Sequence, residues 1–102
     1  MNIANYAQGL TNQIFKALPM RQAGDMDVSC LMQHMHSLFI DSTGYLIAHP
    51  ELSEDRDFQT VVDIVAFLGT TEVDDKTWKR EILKATNLLN KIELKYGGDE
   101  DG

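Results

Sequence analysis

Apolar residues recur at helical spacing along most of the chain. Ile3, Ala7, Leu10, Ile14 and Ala17 follow one another in steps of four and three, with Leu18 beside the stripe. That pattern predicts a helix over Asn2–Leu18, widened by Tyr6 and Phe15 and weakened at Gly9. Pro19 is expected to end it, because proline disfavours helix in the residue before it. After Gly24, either Asp25 or Asp27 can cap a second helix, and Leu31, Met35 and Leu38 mark its face from Val28 to about Leu38. Ser53 reads as the cap of a third helix, with Glu54, Asp55 and Asp57 in the first turns, where the helix dipole favours anions. Phe58, Val61, Val62, Val65 and Leu68 form its buried face, Ile64 and Phe67 broaden it, and Gly69 is expected to stop it. The longest element runs from about Asp75 to Tyr96, capped by Thr71 or Asp74. Its seam of Trp78, Ile82, Ala85, Leu89, Ile92 and Tyr96 is spaced four, three, four, three, four, and Gly97-Gly98 closes it. Such a helix is a rod of roughly 33 Å. The expected fold is mainly α: a small four-helix bundle-like domain over residues 1–98, followed by an acidic, disordered tail at 99–102.

The segment between the second and third helices is open to two readings. Asp41-Ser42-Thr43-Gly44 has turn chemistry, and Tyr45–Ala48 stops at His49-Pro50. Helix followed by loop is one outcome. The other is a short β-hairpin around Asp41–Gly44, pairing Ser37–Ile40 with Tyr45–Ala48. The stretch Phe39–Pro50, with its Asp-x-x-Gly followed by Ile-Ala-His-Pro, resembles the hairpin of extracellular Cache sensor domains. The likeness spans 12 of 102 residues. It implies the hairpin and carries no ligand residues across.

Composition narrows the class. With 102 residues, 43% of them hydrophobic and 25% charged, the chain has the make-up of one globular domain. No apolar run approaches the roughly 20 residues that span a bilayer, so no membrane association is expected. Met1-Asn2-Ile3-Ala4-Asn5 has no basic stretch leading into an apolar block, as a secretory signal would. The single cysteine, Cys30, excludes an internal disulfide. A cytoplasmic location is expected. The net charge of −7 opposes nucleic-acid binding, which draws on Lys and Arg. Acids crowd the middle of the chain, whereas Lys76, Lys79, Arg80, Lys84, Lys91 and Lys95 make residues 76–95 net basic.

Candidate chemistry is sparse. Cys30 and His34 share a helix face, but with His36 pointing elsewhere and only His49 in reserve they do not make a zinc set. A Cys30–His34 dyad lacks an orienting third group. The acids sit where caps and turns use them, and neither a phosphate-binding glycine loop nor a calcium loop is present. Met20, Met26, Met32 and Met35 suit core filling or a pliable groove. No cofactor, no metal and no enzymatic activity are expected.

These features point to a non-enzymatic protein-binding module: an adaptor, regulator or inhibitor of a macromolecular partner. Two surfaces are candidates. The seam of Trp78, Ile82, Leu89 and Tyr96 could bury against a second copy to give a homodimer. The acidic start of the third helix, Glu54, Asp55 and Asp57, could meet a basic partner. The alternative is a nucleic-acid-binding regulator using Lys76, Arg80 and Lys84, which fall at four-residue steps on one stripe of the last helix.

Overall fold

A computed structural model describes residues 2–24 and 27–97. The expected tail at 99–102 and the capping choice of Asp25 lie outside these residues. The chain is mainly helical: α1 Ile3–Phe15, α2 Ala17–Ala23, α3 Val28–Ala48, α4 Arg56–Thr70 and α5 Asp75–Gly97, with a 3-10 turn at Pro50–Glu54. Among the described residues no strand is present.

The first expected helix is two. Proline cannot tolerate the carbonyl four residues before it, which here belongs to Phe15, so the ladder breaks after that residue and restarts at Ala17. Pro19 then sits in the first turn of α2, where a missing N–H costs nothing. Gly24 closes α2 in the left-handed region at φ 70°.

Both readings of the Asp41–Gly44 segment, loop and hairpin, are replaced by helix. α3 runs unbroken through Asp41–Gly44 to Ala48. The turn-forming side chains turn inward on the helix: the Ser42 hydroxyl donates to the Phe39 carbonyl at 3.0 Å and that of Thr43 to Ile40 at 2.9 Å. Tertiary contacts hold the same segment to α1. The Tyr6 hydroxyl donates to Asp41 at 2.6 Å, and the Tyr6 and Tyr45 rings stack with centroids 3.7 Å apart. α3 stops at His49, as the following Pro50 requires.

Two boundaries of α4 also shift. Its cap is Asp55, whose carboxylate accepts from the Phe58 N–H at 3.1 Å, while Ser53 bonds back to the Pro50 carbonyl within the 3-10 turn. Gly69 does not stop the helix, which continues to Thr70. It is a point of close approach to α3: a Cβ there would lie 2.8 Å from the His36 backbone nitrogen.

α5 lies antiparallel to α1. The Trp78 indole N–H reaches the Ala17 carbonyl at 3.4 Å at one end, and Gly97 abuts Ala4 at the other. α5 also packs on α4, and α3 packs chiefly on α4. The core therefore fills the space between α1, α4 and α5, with Leu31, Met35 and Leu38 closing it from α3.

Candidate protein-contact surface

The seam of α5 belongs to this core. Trp78 is 1% exposed, and Ile82, Ala85, Leu89 and Ile92 are fully buried against the chain's own helices. Trp78, Ile82 and Leu89 thus offer no surface to a second copy, which corrects the expected dimer seam. Heptad spacing arises because one side of α5 faces α1 and α4 along its whole length. Trp78 is also covered by Arg21, whose guanidinium carbon sits 4.9 Å from the ring centre. Arg21 in turn donates to Asp75 and to the Val73 carbonyl, each at 2.7 Å, pinning α2 to the start of α5.

Tyr96 and Asp55, expected on two different surfaces, are bonded to each other. The Tyr96 hydroxyl donates to Asp55 Oδ2 at 2.8 Å, and Lys95 Nζ reaches the same oxygen at 3.0 Å. Lys95 also lies 3.9 Å from Asp57. Burial works against the charged form of Asp55, but hydrogen bonds from Lys95, Tyr96 and the Phe58 N–H outweigh it and hold the carboxyl below the usual range. Burial, then the bond to Asp55, pushes the Tyr96 hydroxyl up to about 12. Of the three acids chosen for a basic partner, Glu54 alone is fully exposed; Asp55 is a buried cap and Asp57 is half-buried.

Lys76, Arg80 and Lys84 are exposed on one side of α5, as their spacing predicts. Arg80 pairs with Glu81 at 3.2 Å; among the described residues Lys76 and Lys84 form no ion pair. Cys30 and His34 do not form a dyad. The Cys30 N–H bonds to the Asp27 cap at 2.9 Å, whereas His34 Nε2 lies 2.9 Å from the Gln13 carbonyl on α1. A carbonyl only accepts, so Nε2 carries the proton. Among the described residues no group of three or more His, Cys, Asp or Glu side chains could hold a metal ion. Nor is any helix long and apolar enough to cross a membrane.

The surface that the sequence did not single out is the outward face of α3. Cys30, Gln33, Ser37, Ile40, Gly44 and Ile47 follow one another in steps of three and four, and all are exposed. Ile40 is 57% and Ile47 80% exposed. α1 has no charged side chain and α3 has one, Asp41, in a chain with 9 basic and 16 acidic residues. The signal was present as an uncharged heptad stripe, but the turn chemistry of Asp41–Gly44 cut it in two. Compared with family models, with curated proteins and with solved structures, the chain matches none.

Proposed function

We propose that this protein is a non-enzymatic protein-binding module whose contact surface is the outward face of α3. The observation that carries this is the partition of charge. Protein interfaces are depleted of charged residues at their centres. α1 and α3 carry a single charge between them, and α3 leaves Ile40 and Ile47 to solvent. Three of the acids elsewhere have structural work: Asp27, Asp55 and Asp74 each accept from a backbone N–H at a helix start. A regulator or adaptor acting in the cytoplasm suits a small acidic domain with an uncharged face.

Affinity purification of the tagged protein from its own cells tests the reading. Wild type should retain a protein partner, and so should a Lys76→Glu/Arg80→Glu variant, while an Ile40→Glu/Ile47→Glu variant should lose it. Retention of the same partner by the isoleucine variant would contradict the proposal. A second reading rests on the free cations Lys76 and Lys84 beside Arg80: these would contact phosphates. It requires a salt-sensitive shift of duplex DNA that charge reversal of the stripe abolishes.

A further inference from the structure

We infer that the cavity between α2 and the start of α5 binds a small organic anion, a carboxylate with a compact apolar body. The site is separate from the α3 face and does not depend on it. The cavity has a volume of about 180 Å³. Leu18 and Trp78 give it apolar walls, Arg21, Lys76 and Lys79 line it with positive charge, and Asp75 is its one acid among the described residues.

Arg21 carries the first argument. Its side chain is 12% exposed, so its charge is largely withdrawn from water. Nε donates to Asp75 and Nη2 to the Val73 carbonyl. Nη1 is buried and has no partner among the described residues. A buried donor on a charged group is costly to leave unmet. The Asp75 carboxylate is 90% exposed, so water screens the charge with which it offsets Arg21. An anion in the cavity supplies the acceptor that this guanidinium lacks.

Lys76 and Lys79 supply the second argument. Both are exposed, and among the described residues neither forms an ion pair. Three cations thus stand against one acid in a chain whose net charge is −7. An anion repelled by the rest of the surface is drawn to this spot. Size and lining set the remainder of the ligand. Liquid water takes roughly 30 Å³ per molecule, so the cavity has room for about six such volumes, more than a single oxyanion group needs. Leu18 and the Trp78 ring favour an apolar body there by taking it out of water, a gain that a bare inorganic ion cannot make.

Trp78 is the sole tryptophan and lines the cavity, so it reports on occupancy. Fluorescence titration of the purified full chain with cyclohexanecarboxylate, at constant ionic strength, tests the inference. Circular dichroism confirms the helicity of each variant. Wild type should show a saturable change in Trp78 emission below about 10 mM. Cyclohexylammonium, the same body with the opposite charge, should produce none, and inorganic phosphate should bind roughly tenfold more weakly. Lys76→Gln/Lys79→Gln, at two exposed positions, should weaken carboxylate binding roughly tenfold. Arg21→Lys keeps the charge but loses the planar fork, and should weaken it at least as much. No response from wild type, an equal response to cyclohexylammonium, or unchanged affinity in the double-lysine variant would overturn the site. Unchanged affinity in a folded Arg21→Lys variant would overturn the role of its unmet donor. Phosphate bound as tightly as the carboxylate would overturn the apolar body.

Discussion

The Tyr96 hydroxyl donates to the Asp55 carboxylate at 2.8 Å, tying the last turn of α5 to the first turn of α4. One carboxylate thus caps α4 and clamps α5, and it is buried while doing so. Asp55→Ala should cost roughly 2–3 kcal/mol, from a lost cap and a charge-assisted bond that leaves Tyr96 without its acceptor. Asp55→Asn keeps a capping oxygen and should cost about 1 kcal/mol. Urea titration of both, with Tyr96→Phe in a double-mutant cycle, measures the coupling. Additive losses would show that the two residues act separately.

The same pair sets a pH dependence. The carboxyl of Asp55 is held below its usual range in the folded state. Its contribution is therefore complete above the unfolded value of about 3.9 and is lost as pH falls through the lower, folded value. The stability gap between wild type and Asp55→Asn should stay level from neutral pH to about 5 and close below about pH 4. A gap unchanged in strong acid would contradict this.

Whether the α5 seam is core is open to direct test. Leu89→Ala removes a fully buried side chain and should cost about 2–5 kcal/mol, whereas Leu94→Ala, at a position 80% exposed, should fall within ~0.5 kcal/mol. Trp78 is the sole tryptophan, so its fluorescence reports on the same packing. Emission should be blue-shifted in the folded protein and move to the red as the chain unfolds. Equal costs at 89 and 94 would sink the assignment.

Two helical glycines should respond with opposite signs. At Gly9 a Cβ meets nothing within 4 Å, so Gly9→Ala should stabilise by about 0.5–1 kcal/mol. At Gly69 it would strike the His36 backbone, with the nitrogen at 2.8 Å and the Cα at 2.9 Å, so Gly69→Ala must force α3 and α4 apart. That variant should be destabilised by about 1–3 kcal/mol. Thermal melts of both decide the point; stabilisation at Gly69 would mean that the two helices are farther apart.

Most of the helical content was legible from periodicity, because burying one face of each helix imposes the 3.6-residue pattern directly. Ile82, Leu89, Val61 and Leu31 were placed on buried faces by spacing alone. What local signals misjudged was set by distant contacts. Asp41-Ser42-Thr43-Gly44 has turn chemistry, yet Tyr6 on α1 and in-helix hydroxyl bonds keep it helical. Gly69 looks like a stop and is a site of helix contact. Asp55 and Tyr96 were both picked out, but no spacing rule links residues 41 apart. The buried seam and an exposed one carry the same heptad pattern; only the positions of α1 and α4 distinguish them.

In-cell photo-cross-linking tests the central claim, that this protein contacts its partner through the outward face of α3, most directly. A photoreactive amino acid would be placed in turn at Ile40, Ile47, Lys79 and Lys91, all exposed in the free chain. Protein adducts should form from positions 40 and 47, with little from 79 and 91. Adducts confined to 79 or 91, with none from α3, would contradict it.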